Sequence, residues 1–301
     1  MDGTDARFIE YLDAKRSIDD RSLHPRVWTA FLDQIEGRRS RGLVEIAELG
    51  AGIGTMCQRV FRALGTGGMR YHLVDENPAL LEAADRRIAA DFFPNPPNSP
   101  EPRCPADSVL FHVNDALTWL TEDRSGVPFQ AILANAFLDL VDIPAALDRI
   151  FERLTPRGLA YLTVNYDGRT DFLPSLDTDR EVLGLYNESM RHWKGAYRGT
   201  DRSGTRILEC LLDRGIPILD LGASDWVVAG RTAEGAAGGY SRDETIFLRA
   251  ILDMVEGAVS RSALGPGILA NWMDTRRRQA AQGKLVYVAH QLDILAQKPF
   301  G

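Results

Sequence analysis

The stretch VEIAELGAGIGT, positions 44–55, has the residue types and spacing to hold a ligand: an apolar run stops at Glu48, and Gly50, Gly52 and Gly54 follow on alternate positions. Inside a regular element glycine costs roughly 0.5–1 kcal/mol relative to alanine. Three in five residues therefore imply a backbone that something approaches closely. A strand, a tight glycine turn and a helix N-terminus make an anion or nucleotide site at the carboxyl edge of a parallel sheet. The acid narrows the ligand, because a carboxylate two residues before the first glycine repels a pyrophosphate and welcomes a cation. A dinucleotide turn wants G-x-G-x-x-G, and here Thr55 takes the last position while Gly54 comes one residue early.

Those residues need a scaffold, and the apolar periodicity supplies one. Helical spacing of Phe8, Ile9 and Leu12, then of Val27, Trp28, Phe31, Leu32 and Ile35, predicts two amphipathic helices joined near SIDDRSLHP, with Pro25 near the start of the second. Strands follow at 43–49, 71–75, 108–113, 129–135 and 159–165. Helices alternate with them: one at 54–64 ending at Gly65, one opening at Pro78, one beginning in DALTWLT, and IPAALDRIFERLTPRG with a left-handed glycine stop. Nearly all-apolar strands alternating with helices predict a parallel sheet covered on both faces. The segment 94–105 carries six prolines and reads as an exposed loop within the domain. Beyond 166 the spacing predicts helices near 178–192, 206–215, 241–260 and 266–282. Strand material stands in IPILDLGASDWVV, GRTAEGAAGGY is a glycine-rich loop, and a last long strand covers 284–297.

With 301 residues, 45% hydrophobic and 26% charged, the chain is long enough for one large domain with insertions. A formal net charge of -7 counts against nucleic-acid and anionic-membrane partners. Cys57, Cys104 and Cys210 are too far apart for a C-x-x-C, which argues against a disulfide framework or a structural zinc and leaves no metal site expected. A charged N-terminus without an apolar core segment and the lack of a long apolar run point to a cytoplasmic protein.

ELGAGIG, Glu48 to Gly54, resembles motif I of the class I S-adenosylmethionine-dependent methyltransferases, (D/E)-x-G-x-G-x-G. That ligand carries an amino group and a sulfonium, which suits the acid. The resemblance covers 43–165 well and the remainder loosely. It implies a doubly wound α/β fold, a mainly parallel seven-stranded sheet, with N-terminal helices and helical insertions as a cap: 1–40 as an N-terminal helical cap, 41–301 as the methyltransferase domain, and lid or acceptor-pocket segments at about 166–205 and 235–283. It also implies S-adenosylmethionine contacts in strand order. Glu48, Gly50, Ala51, Gly52 and Gly54 form the turn. Asp75, ending LVDEN, takes the ribose hydroxyls, although it would equally cap the helix at Pro78. Asp115 and Ala116 meet the adenine, and Asp115 is also a plausible cap. Asn135 and Ala136 meet the methionyl end, and Tyr11 and Arg21 face the cofactor from the lid. The departure is the pair of helices between the sixth and seventh strands, which a minimal fold joins as a hairpin; their role is pocket or homodimer contact.

An oxygen acceptor wants a base, and histidine suits neutral pH. His72 and His112 lie on core strands, His24 sits in a turn and His290 interrupts an apolar strand, so His192 is the preferred candidate, with Tyr166, Asp167, Asp225 and Trp226 near the open end. The expected activity is methyl transfer to a small-molecule acceptor, first a hydroxyl, with nitrogen or carbon also open. The alternatives are an NAD(P)-dependent oxidoreductase and a non-catalytic S-adenosylmethionine-binding protein.

Overall fold

The structure, a computed structural model, describes residues 3–94, 104–105, 107–122, 126–193, 196–197, 200–231, 239–262 and 264–300. Two helices open it, α1 (Gly3–Ser22) and α2 (Pro25–Arg39). The alternating half is β1 (Val44–Leu49), α3 (Thr55–Leu64), β2 (Met69–Asp75), α4 (Pro78–Phe92), β3 (Val109–Val113), α5 (Ala116–Glu122), β4 (Phe129–Asn135), α6 (Ile143–Arg153) and β5 (Leu154–Leu173). After it come α7 (Asp179–Met190), the two-residue strands β6 (His192–Trp193) and β7 (Ala196–Tyr197), α8 (Ser203–Asp213), β8 (Ile218–Ala223), β9 (Trp226–Ala229), α9 (Arg242–Val259), α10 (Pro266–Ala281) and β10 (Val286–Gln297). Most of the proline-rich loop, at 95–103 and 106, and the glycine-rich loop, at 232–238, lie outside the described residues.

The main sheet runs β3-β2-β1-β4-β5-β10-β8, with β9 also on β10. The first five strands are mutually parallel, and β10 is antiparallel to β5, β8 and β9. The seven-stranded expectation becomes eight because the sixth strand breaks between Ala223 and Trp226. There Ser224 and Asp225 turn their side chains to Asp293 and His290 instead of continuing the ladder. One face is covered by α2, α3 and α4, and further along by α1, α7, α9 and α10; α5, α6 and α8 cover the other. The central strand β1 is buried along its whole length, as a strand covered on both faces must be.

Two local expectations are corrected. The fifth strand is not confined to 159–165: it runs on to Leu173, and β10 pairs with the extension from Tyr287↔Phe172 to Gln291↔Tyr166. That overhang beyond the parallel strands is the platform on which Phe172, Tyr287, Phe247 and Trp272 pack, so α7, α9 and α10 stand on strand and not on loop. Also, α6 does not end in a left-handed glycine. Its C-cap is Leu154, already extended and entering β5. Gly158 is required for another reason, since a Cβ there would stand 2.8 Å from the Thr155 carbonyl oxygen.

Candidate active site

The three glycines after β1 are all left-handed, with φ of 64°, 53° and 74° for Gly50, Gly52 and Gly54. Their surroundings separate their tasks. A Cβ on Gly50 would lie 2.5 Å from the Phe137 ring, and one on Gly54 2.9 Å from Ile88. These two glycines let the loop after β4 and the helix α4 close on the turn. A Cβ on Gly52 would meet only Leu12, at 3.4 Å. Gly52 is thus the bare point of the turn, facing α1. Ala51, buried beside it, donates its N–H to the Val74 carbonyl 3.0 Å away and fastens the turn to β2.

Asp75 ends β2 and reaches the same turn. Its carboxylate accepts from Gly52 N–H and from Asn77 N–H, both at 2.9 Å. Burial pushes its carboxyl up, and those two backbone donors pull it back. The helix α4 is capped by Asn77, whose side chain accepts from Ala79 N–H, so Asp75 is not the cap. Asn77 also donates to Asp5 of α1 at 3.0 Å. Together with Ile9 and Leu12, which pack on Ile53, Leu80 and Ala83, this lays α1 across the open side of the turn.

Glu48 is placed differently from its neighbours. It is 3% exposed, directed beneath the N-terminus of α3. Tyr71 donates its hydroxyl to it at 2.8 Å, and the Cys57 backbone N–H donates to it as well. Helix α3 begins at Gly54, which has no side chain to cap it, so Glu48 satisfies an otherwise orphaned N–H from inside. Burial raises the Glu48 carboxyl to about 7 against those donors.

Further along the edge, Asp115 is exposed and caps α5 by accepting from Thr118 N–H at 2.8 Å, while Ala116 is buried. Asn135 ends β4 and accepts from the Thr163 hydroxyl at 2.9 Å. Ala136 follows at φ 51°, held by its N–H to the Thr163 carbonyl. A left-handed alanine is a strained position of the kind found where a loop is fixed for a ligand.

The residues expected to face the cofactor from a lid divide. Tyr11 stacks on Phe247 with ring centroids 6.1 Å apart, and its phenol is pushed up by burial first and then by the nearby charges of Asp19 and Asp139. Arg21 is not brought to the turn: it pairs with Glu244 at 2.9 Å and donates to the Val227 carbonyl, tying α1 to α9 and β9. Tyr166 is buried, its hydroxyl bonded to Asn187 and Thr170, and burial raises it to about 12. It therefore stays protonated at neutral pH and serves as a hydrogen-bond donor rather than a base. The backbone of His192 lies in β6, and its side chain is outside the described residues. Asp167 is engaged by the N–H and hydroxyl of Thr205 at the start of α8. His290 pairs with Asp225 at 2.8 Å, and His72 bridges His112 and Glu45, so these histidines are satisfied within the fold. Trp226 donates to Asp19.

Four residues of the site went unread in the sequence. Phe137 lies against Gly50, Leu12 lies over Gly52, Asn77 links Asp75 to α1, and Asp139 stands one turn beyond β4. Asp139 had a visible signal: it follows Asn135 in ANAFLD. Among the described residues no group of three His, Cys, Asp or Glu side chains is arranged to hold a metal ion, and no helix is long and apolar enough to cross a membrane.

Residues 28–156 match a family model described as "Putative S-adenosyl-L-methionine-dependent methyltransferase". No curated protein matches the chain. Among solved structures, it is similar to phosphoethanolamine N-methyltransferase 2 of Haemonchus contortus in complex with S-adenosyl-L-methionine, at 15% identity over 86% of this chain and 49% of that one, TM-score 0.43. It is also similar to geranyl diphosphate C-methyltransferase of Streptomyces coelicolor A3(2), at 14% identity over 91% of this chain and 81% of that one, TM-score 0.45. The chain thus spans about half the length of the first.

Proposed function

We propose that this chain, an S-adenosylmethionine-dependent methyltransferase by the family that its residues 28–156 match, transfers the methyl group to a small-molecule acceptor held between the edge of the parallel sheet and the helices α1, α7 and α9. The observation that carries the reading is the joint geometry of the turn and the acid. The one glycine not closed off by β4 or α4 donates its N–H to Asp75, which orients that carboxylate at the edge beside the turn. The fit to S-adenosylmethionine is chemical. The bare backbone of Gly52 admits a flat nucleoside, Asp75 offers acceptor oxygens to vicinal hydroxyls, and Asp115 and Ala116 stand at the next strand end, where an adenine would lie. Asn135 and the strained Ala136 stand where a methionyl group would lie.

When bound, the cofactor supplies an electrophilic methyl carbon on a sulfonium, which an acceptor lone pair displaces in line. The chain's part is positioning and exclusion of water, the larger share of the rate in such a reaction. Leu12 and Ile9 of α1 flank the turn on its open side, and the phenols of Tyr11 and Tyr166, raised by burial, stay protonated. A hydroxyl acceptor is the first expectation, with nitrogen or carbon as alternatives. Glu48 contributes through α3 and the turn, as an internal cap.

Calorimetric titration with S-adenosylmethionine, S-adenosylhomocysteine and NADH tests the cofactor. Saturable binding of the first two and none of the third is expected, and Asp75→Ala should weaken both by at least about tenfold, the loss of one to two charge-assisted hydrogen bonds. Binding of NADH alone would overturn the reading. Formation of S-adenosylhomocysteine across a panel of hydroxyl, amine and carbon acceptors then tests transfer, and binding without any turnover would leave a cofactor-binding protein instead of an enzyme.

A further inference from the structure

A single peptide unit of β5 is held from both sides, and it ties the carboxyl edge of the sheet to its interior. In the pairing of β5 with β10, Leu292 stands opposite Asn165 and Ile294 opposite Leu162, so Thr163 and Val164 together face the one residue Asp293. That is a bulge, a device that bends a strand and re-aims its groups. Val164 takes φ 57° in it, a region that a β-branched residue avoids. The strained residue is held from the neighbouring strand: Asp293, fully buried, accepts the Val164 N–H at 2.8 Å.

The second hold is on the same amide. The Val164 N–H and the Thr163 carbonyl belong to one planar peptide unit and point to opposite sides of the chain. The carbonyl accepts the Ala136 N–H at 2.9 Å, on the loop after β4. Ala136 is left-handed as well, at φ 51°. Thr163, 0% exposed, adds its hydroxyl to the Asn135 side chain at 2.9 Å. Among the described residues these are the only hydrogen bonds that reach the Asn135 side chain and the Ala136 N–H. The corner Asn135–Ala136 therefore takes its place from Thr163, and the Asp293 carboxylate fixes the Thr163–Val164 amide on its far side. Left-handed residues other than glycine persist only where their surroundings over-determine them, and they gather at ligand sites.

We infer that Asp293 is a positioning residue for the methionyl end of the cofactor: through the Thr163–Val164 amide it sets the corner Asn135–Ala136 that receives that end. The inference rests on the cofactor reading, in which Asn135 and Ala136 stand beside the methionyl group. Asp293 acts at a distance, since it is fully buried and its oxygens are taken by the Val164 N–H, the His24 N–H and the Ser224 hydroxyl. Its influence is confined to the amino-acid tail. The nucleoside half belongs to the Gly52 turn and to Asp75, on β1 and β2, and neither is hydrogen-bonded to this amide. A corner displaced by about 1 Å misaligns the groups that meet a carboxylate and an ammonium, and it leaves ribose and adenine contacts in place.

Calorimetry with two probes separates tail from nucleoside: S-adenosylhomocysteine carries the amino-acid tail and methylthioadenosine lacks it. The wild-type protein should bind the first about tenfold or more tightly than the second. Asp293→Ala should cut S-adenosylhomocysteine affinity by about tenfold while methylthioadenosine stays within about twofold, which also reports that the variant is folded. Thr163→Val, equal in shape and without the hydroxyl, should lose at least about threefold of the preference by the same comparison. Equal losses for the two probes would mark Asp293 as a stabilising residue only and overturn the inference. An unchanged preference in Asp293→Ala, or a wild-type protein without a preference, overturns it too. Should Asp293→Ala bind neither probe, Thr163→Val decides: a lost preference upholds the inference and an intact one overturns it. Failure of the wild-type protein to bind either probe is a different result, and it strikes the underlying cofactor reading.

Discussion

Glu48 is a carboxylic acid in a place with almost no water, between a tyrosine hydroxyl and the first turn of a helix. Its pKa, raised from 4.5 to about 7, has a definite consequence for stability. The folded state holds the proton more tightly than the unfolded chain, so the contribution is complete below about pH 4.5 and is lost as pH rises through about 7. At roughly 1.36 kcal/mol per unit the loss is at most about 3–4 kcal/mol. Urea denaturation between pH 4.5 and 8 should show wild-type stability falling across that window, and Glu48→Gln, neutral throughout, should flatten the fall. An unchanged slope in the variant would mean that the titrating group lies elsewhere. The sequence announced an acid before a glycine turn, but not where it would point. Side chains alternate along a strand, and which face of β1 lies against α3 is a matter of packing between elements.

At the scale of elements, the glycine turn joins β1 to α3 and is braced by two others, the loop after β4 and the helix α4. Its demands are local for φ and tertiary for space. Gly50→Ala meets both, at φ 64° and 2.5 Å from the Phe137 ring, whereas Gly67→Ala meets neither, with nothing within 4 Å. Gly50→Ala is expected to lower stability by at least about 2 kcal/mol and to weaken S-adenosylmethionine binding, while Gly67→Ala stays within about 0.5 kcal/mol. Chemical denaturation of the two variants side by side checks this, and equal effects would contradict it. The helices and parallel strands were legible because proline at first turns, apolar runs and glycine ends encode them within a few residues, as at Pro25, Pro78 and Gly65. The overhang of β5 was not, because DGRTDFL is polar enough to read as loop. It becomes strand only by pairing with β10, more than a hundred residues on.

Across the whole molecule one buried side chain ties the parts together. Asp293 on β10 is 0% exposed. It accepts from His24 N–H at the α1–α2 junction, from Val164 N–H in β5 and from the Ser224 hydroxyl where the sixth strand breaks, at 2.8, 2.8 and 2.6 Å. Val164 stands at φ 57°, an outlier for a β-branched residue, and this bond helps to hold it there. Asp293→Ala should orphan three donors, two of them buried, and cost about 3–5 kcal/mol, read as a drop in the denaturation midpoint. A loss under about 1 kcal/mol would show that the three elements hold without the pin.

The sequence by itself determined the strand–helix order of the parallel half, the glycine turn and the acids at successive strand ends, because each is set by the backbone and capping preferences of neighbouring residues. The tertiary structure alone decided that Glu48 turns inward, that Arg21 is spent on Glu244, and that Tyr11 of α1 stacks on Phe247 of α9. Those contacts join residues far apart in the chain, and nothing in the local pattern around any one of them specifies which distant surface it will meet.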